Sequence, residues 1–480
     1  MNMKALKLAI IFSVFSLLQA CATDPVTGRP SFALSESWEI NAGQKYHEEI
    51  LKQYSVYDDP ELQAYVNDIG QRLAKKSHRP DLAFTFTLLD SPEVNAFALP
   101  GGYVYITRGI MAYMGKESHL AGVIGHEIGH VTGRHGAERA AQQQIASGVS
   151  LVVAVGTGSN ELAQVSQLFG GALMSGYGRR QELESDRLGA EYIAHNNYAP
   201  DDMIDVIGIL KNQELFARER AAAEGKEYQG YHSLFSTHPK NDTRLQGVIK
   251  AAEKFRDTTK PIPDDGRFLR LTDGMAYGDS EAQGIVNGNR FYHKGLNLFV
   301  EFPEGWRVQN TPAILGAVSP QGDQVVTMQM DSLVPPLDAQ GYLSSKFQNF
   351  HDARRVTTDE DTGLSGLATI SNEQGQQSNV RVGMITRGNQ AFVLTAQGNN
   401  FVPDQSFFNV AQSIRRLKPE ERKFATGGRI KLIKARQGDT VRSLAQRSNL
   451  NDYAESQIRL INNLYPDGEP VAGQMIKIIE

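Results

Sequence analysis

His126-Glu127-Ile128-Gly129-His130 sets two imidazoles four positions apart with a carboxylate beside the first. On an α-helix such positions lie on one face a turn apart, so both rings can reach one metal ion. Glu127 projects next to that face, where it can take a proton from water held by the metal. A catalytic zinc normally has three protein ligands and keeps one position for water. The third ligand must therefore come from a distant segment, and Arg179-Arg-Gln-Glu-Leu-Glu-Ser-Asp-Arg-Leu-Gly189 offers one. There Glu182, Asp186 and Gly189 share one helical face, which Ile193 continues inward. Acidic groups on a buried face are costly unless paired or bound to metal, so Glu182 is the expected third ligand. Glu184 points about 200° of helical phase away and reads as a solvated charge. Asp186 reads as the acceptor of one histidine's second ring N–H, or alternatively as the partner of Arg179 or Arg180. His238, held by Pro239, has three readings: donor to a developing oxyanion, occupant of the open zinc position, or loop packing. His119, His135 and His232 read as surface or packing residues with no role.

Such a site needs a helix at 126–130 and a second one at 182–193. Apolar residues at three- and four-residue spacing predict helices over 36–75 and 108–145, with Leu120, Val123, Ile124 and Val131 burying the His126 helix. Phe84 to Leu89 alternates and Gly102 to Thr107 is rich in β-formers, which predicts a small sheet among the helices. A strand with a free edge in Asn95–Thr107 would hold an extended peptide by backbone hydrogen bonds, making Asn95, Ala96 and Phe97 substrate-binding candidates. A plain structural hairpin is the other reading. Ile145 to Val155 is an apolar run with glycines, read as a buried helix or a flap.

The whole chain has 480 residues, too many for one core. Its 49 basic and 54 acidic residues give a net charge of −5, which argues against a nucleic-acid partner. The single cysteine excludes a disulfide framework and a cysteine-rich zinc ribbon. That cysteine, Cys21, follows a basic start and a short apolar stretch, the pattern of an export signal over 1–20. Two seams rich in Pro, Gly and charge, 256–266 and 418–428, divide the rest into 21–262, 263–425 and 428–480. Residues 263–425 carry short strand-like segments at 297–302, 325–330, 380–385 and 391–395, with helical patterns at 342–350 and 402–417. Arg387-Gly-Asn-Gln390 is a hairpin signal between two of those strands. Residues 428–480 read strand, helix, helix, strand. The expected fold class is α+β throughout, with the first block mainly helical. No repeat of period 20–50 residues is present.

Taken together, His126–His130 and Glu182-x-x-x-Asp186 resemble the M48 family of zinc metallopeptidases, in particular its exported periplasmic branch. Asp24-Pro-Val-Thr-Gly-Arg29, Asn95 to Thr107, and Ser236-Thr-His-Pro239 with Arg244 beyond fit that family in order. The resemblance covers about residues 21–262. It implies a mainly helical gluzincin-type domain with a small sheet, one Zn2+ per chain, and a place for Arg244, like Asp186, among the residues that support the ligands. It further implies hydrolysis of peptide bonds in unfolded or misassembled envelope proteins. Leu18-Gln-Ala-Cys21 resembles a lipobox, which implies lipidation of Cys21 and a periplasmic, outer-membrane-anchored address. Residues 428–480 resemble a LysM module, which implies contact with peptidoglycan. Two rival readings remain at this level: a peptidoglycan hydrolase, and a scaffold or holdase whose metal only stabilises the fold. Glu127 weighs against the second, because a structural site needs no general base.

Overall fold

The computed structural model describes residues 22–31, 33–146, 176–225, 241–312, 314–332, 338–371, 377–399, 401–450 and 452–480. The signal-like stretch 1–20, Cys21, residues 147–155 of the apolar run, His232 and His238 lie outside them. The chain divides into two compact units. Met1–Leu51, Val56–Tyr277 and Arg429–Glu480 form the first, and Lys52–Ser55 with Gly278–Gly428 the second.

The first unit opens with two short strands, β1 (Ala22–Thr23) and β2 (Pro30–Ser31), then helices α1 (Glu36–Gln53) and α2 (Pro60–Ala74). The expected helical stretch 36–75 breaks between them because Asp59 caps α2. Its carboxylate accepts the Leu62 N–H at 3.0 Å, and Pro60 fills the first helical position. Next come β3 (Thr85–Leu89), β4 (Ala96–Leu99) and β5 (Tyr103–Thr107), in the order β3-β5-β4. β3 runs parallel to β5 and β4 antiparallel to it, which leaves β4 at the sheet's edge. The expected helix over 108–145 is three helices: α3 (Arg108–Tyr113), α4 (Glu117–Thr132) and α5 (His135–Ala146). α4 ends at Gly133, and Arg134 turns the chain at φ +55° before α5 begins. α6 (Arg179–His195), α7 (Asp202–Ala223), α8 (Asn241–Arg256) and the short α9 (Arg267–Thr272) complete the helical set.

α4 is buried on every side from Ser118 to Thr132, as a helix at the centre of a core must be. Leu120, Ile124 and Ile128 of α4 meet Ile69 and Leu73 of α2, Leu188 and Ile193 of α6, and Ile207 and Leu210 of α7 in one cluster. Strand β6 (Ala276–Tyr277) closes this stretch.

The second unit is sheet-rich. Strands β7 (Ile285–Asn287), β8 (Arg290–His293) and β9 (Leu298–Glu301) form one small antiparallel sheet. A larger sheet has the order β10-β11-β12-β16-β15-β14-β13. Its strands are β10 (Arg307–Asn310), β11 (Leu315–Val318), β12 (Gln324–Ser332), β13 (Gln348–Thr357), β14 (Thr362–Ser371), β15 (Gln377–Arg387) and β16 (Gln390–Gly398). Helices α10 (Ala339–Lys346) and α11 (Asp404–Ser413) accompany it, and Phe302, Trp306, Phe392 and Phe407 are buried in its core. The hairpin at 387–390 is present, with Gly388 at φ +58° in its turn. The expected helix 342–350 stops at Lys346, and the chain continues as β13, whose irregular pairing accommodates Asn349 and Asp352 at positive φ.

The C-terminal segment has β17 (Gly428–Lys434), α12 (Val441–Gln446), α13 (Ala454–Ile461) and β18 (Met475–Ile479), the expected strand–helix–helix–strand order. It does not stand apart as a domain of its own. Residues 429–480 group with 56–277, and the change to the second unit falls at Tyr277–Gly278 rather than near 263. The reason is physical: β6 adds to β17 in the sheet β18-β17-β6, and Ile430, Val441, Ile458 and Ile476 join the same apolar cluster as α4. Lys477 locks the joint. Its side chain is 1% exposed and donates to Ala112 O and Met114 O, both at 2.6 Å, where α3 ends. Burial pulls its amine down to about 7, and the neutral amine still carries two N–H donors for the two carbonyls.

Lys477→Met leaves both carbonyls without this donor, which costs about 1–3 kcal/mol and lowers the unfolding midpoint of the first unit. The native residue adds a pH dependence. From about 7 upward the folded chain has released a proton that the unfolded lysine keeps to roughly pH 10.4. Stability therefore rises with pH across that window. Urea unfolding of both proteins between pH 6 and 10 checks this, with the rise expected to be smaller in the variant.

Candidate metal centre

Three glycines bring α4 and α6 backbone to backbone. A Cβ at Gly125 would lie 3.3 Å from Gly189 O, one at Gly129 would lie 3.0 Å from Ser185 Cα, and one at Gly189 would lie 3.1 Å from His126 N. Only residues without a side chain allow this separation. It carries Glu182, on the first turn of α6, onto the face of α4 that bears both histidines. His126 Nε2 stands 3.7 Å from Glu182 Oε2, His130 Nε2 stands 3.5 Å from Glu182 Oε1, and the two Nε2 atoms are 3.0 Å apart. All three residues are buried.

The donor set fits a zinc-type ion. Tetrahedral ligands at 2.0–2.1 Å from a metal lie about 3.4 Å from one another, and the three separations above scatter around that value. Burial pushes the His130 imidazole well below its ordinary pKa, favouring the neutral form that coordinates a metal. Charge points the same way. Glu127, Glu182 and Asp186 are buried here together with one guanidinium, Arg244. Three carboxylates against Arg244 and the half-buried Arg139, which also acts on Glu182, leave an excess of negative charge that a divalent ion would offset.

The remaining ring nitrogens are held differently. His126 Nδ1 meets Asp186 Oδ1 at 2.8 Å. Arg244 grips Asp186 through Nε at 2.9 Å and a terminal nitrogen at 2.7 Å, and its other terminal nitrogen lies 3.2 Å from Glu182 Oε2. Burial raises the Asp186 pKa, but Arg244 and His126 outweigh it and hold the carboxyl below the ordinary value. Arg179 and Arg180 are not its partners: Arg180 pairs with Glu138 at 2.7 Å. On the far side, His130 Nδ1 meets His135 Nδ1 at 2.9 Å, and His135 Nε2 faces Glu184 Oε2 at 3.5 Å. Tyr177 stacks on the His130 ring, with centroids 3.8 Å apart.

Glu127, His126, His130, Glu182, Asp186 and Arg244 thus come together. Asn95, Ala96 and Phe97 lie at and on β4, which packs against α4, and all three are buried. Phe97 stacks on Tyr105 at 4.8 Å, and Asn95 Oδ1 is buried without a hydrogen-bond partner among the described residues. The sequence reading gave no role to His135 and left Glu184 in solvent; the fold buries His135 completely and leaves only 16% of the Glu184 side chain exposed. The Gly133 stop before His135 is the one sequence signal that could have suggested a reversal, and nothing local marks Tyr177. A second His/Asp group, His119, Asp202 and Asp205, already has the Lys116 ammonium on both carboxylates, which supplies the charge a metal would bring.

Residues 60–252 match the model of peptidase family M48. The chain is 29% identical over 243 residues to the beta-barrel assembly-enhancing protease of Escherichia coli K12, covering 48% of this chain and 47% of that protein. It is 30% identical over 226 residues to the putative beta-barrel assembly-enhancing protease of Vibrio cholerae, covering 45% and 44%. It is 28% identical over 244 residues to the mitochondrial metalloendopeptidase OMA1 of Schizosaccharomyces pombe, covering 49% and 68%. The chain spans about half the length of the bacterial relatives it matches.

Gly129→Ala tests the helix contact. The added methyl meets backbone, not a flexible side-chain tip, so overpacking of about 1–3 kcal/mol is expected, with α6 displaced from α4. Thermal melts and Zn2+ titration of the same preparation should report both losses together.

Proposed function

We propose, from the premise that residues 60–252 are a peptidase family M48 domain, that this chain is a zinc-dependent endopeptidase of the bacterial cell envelope acting on misfolded or misassembled envelope proteins. The observation that carries the reading is the buried convergence of His126, His130 and Glu182 with Glu127 on the same helix turn. A divalent ion held by the first three supplies Lewis acidity toward water and a peptide carbonyl. Glu127 accepts the proton of the attacking water and delivers it to the leaving amine. The Asp186–Arg244 pair fixes the His126 ring. The edge position of β4 supports a peptide lying along Asn95–Phe97, recognised through its backbone and so with little demand on side chains.

The cellular setting rests on sequence. The bacterial relatives are named for enhancing beta-barrel assembly, and the export signal, the lipidated Cys21 and periplasmic residence at the outer membrane belong to this reading. So do His238 as oxyanion donor or blocker of the site, and contact of 428–480 with peptidoglycan. Among the described residues no helix is long and apolar enough to cross a membrane.

Glu127→Gln should keep one Zn2+ per chain and the wild-type melting curve, while turnover of an unfolded outer-membrane protein falls by roughly 10²–10⁴. Undiminished cleavage would overturn the assignment. Muropeptides released from intact sacculi, with no cleavage of protein, would support the peptidoglycan hydrolase instead.

A further inference from the structure

The two imidazoles of the centre are fixed by unlike means. His126 has a carboxylate at its second nitrogen, whereas His130 has another imidazole there. Two ring nitrogens 2.9 Å apart share one proton, so one ring donates and the other accepts. His130 turns Nε2 toward His126 and Glu182. For that atom to offer a lone pair to a metal, the ring proton must sit on Nδ1, and His130 is the donor. His135 then accepts at Nδ1 and carries its own proton on Nε2, the nitrogen facing the Glu184 carboxylate at 3.5 Å. The Glu184 carboxylate, 3.5 Å away and not in hydrogen-bond geometry, favours a proton on that nitrogen through its charge.

The backbone is shaped to make this contact. A continuing helix would carry residue 135 about 140° of phase away from residue 130. Instead Arg134 adopts φ +55° and reverses the chain. Its side chain is anchored by Glu39 at 3.2 Å and by the Leu34 carbonyl. A non-glycine residue is disfavoured in that region, and these buried partners offset the cost. Ser185 Oγ lies 3.3 Å from the same His135 Nδ1, farther than the 2.9 Å contact of His130.

We propose that His135 and Glu184 are positioning residues for the metal centre, a carboxylate–imidazole relay that fixes the tautomer and orientation of His130. This rests on the zinc reading above. His135→Phe keeps the shape and removes the acceptor. His135→Gln restores an acceptor for His130 and a donor for Glu184. Glu184→Leu removes the outer carboxylate at a partly exposed position, and Arg180→Ala controls for the Glu184 ion pair.

The test is Zn2+ affinity of the full chain by competition with a chromophoric chelator, with the visible spectrum of the Co2+-substituted protein and the melting curve of the metal-free protein beside it. His135→Phe should weaken Zn2+ binding roughly 10- to 100-fold and alter the Co2+ bands. His135→Gln should stay near wild type, Glu184→Leu should fall between them, and Arg180→Ala should change nothing. If His135→Phe fails to fold, the order His135→Gln above Glu184→Leu decides the matter. Wild-type affinity and Co2+ bands in Glu184→Leu and in any folded His135→Phe would overturn the relay, as would affinity losses that merely track the metal-free melting temperature. A wild-type chain that binds no Zn2+ would remove the metal reading itself, and is told apart because it appears before any variant is compared.

Discussion

Gly125, Gly129 and Gly189 let two helices touch through their backbones, and the chemistry of the first unit depends on that contact. With side chains between them, α4 and α6 would stand several ångströms farther apart, as helices usually do. Glu182 would then no longer share a point with His126 and His130. The close approach also removes water from three carboxylates and a guanidinium, which is unfavourable unless they satisfy one another. Arg244 from α8 answers part of that demand by bridging Asp186 and Glu182. A divalent ion at this site would answer the remainder, and its binding would then be coupled to the helix contact.

The two sides of the centre differ in electrostatic character. Behind His126 the clamp is ionic, because Asp186 is held anionic by Arg244 against the effect of burial. Behind His130 the first neighbour is a buried imidazole, and the anion, Glu184, stands one ring farther out beside Arg180. His126 therefore meets an anion directly at its second ring nitrogen, whereas His130 meets one only through the His135 ring. Tyr177 on the face of His130 adds packing, and its own neighbour, the Arg139 guanidinium, lies 4.9 Å from the Tyr177 ring centre.

The donor set was legible in the sequence because helical periodicity alone fixes which residues share a face. Spacings of four within His126–His130 and Glu182–Asp186 need no tertiary knowledge, and the fold keeps both. Glu184 shows where such reasoning ends. Its phase correctly turns it from the histidine pair, but the space it turns into is occupied by the start of α5 and not by water. His135 was illegible for a related reason, since its approach to His130 depends on a left-handed arginine that propensity disfavours and that distant Glu39 holds in place. Near 263, Pro, Gly and charge mark a loop, whereas the limit of a compact unit follows which strands pair beyond it.

That last point explains why Arg429–Glu480, separated from Tyr277 by Gly278–Gly428, belongs to the first unit. α3 is the only helix between β5, the neighbour of the edge strand β4, and α4, the helix of the metal ligands. Its N-terminal end is pinned by buried Arg108, which donates to Asp90 at 2.5 Å and to Ala276 O at 3.1 Å. Its C-terminal end exposes carbonyls that no later turn of helix satisfies, and a buried amine donor there answers that hydrogen-bond deficit. Lys477 fills that position from β18. With both ends of α3 fixed, the strand candidate for substrate and the helix that carries the metal ligands cannot slide past one another. The C-terminal segment therefore helps to hold β5 and its edge neighbour β4 in place against α4, through the Lys477 contacts at the end of α3.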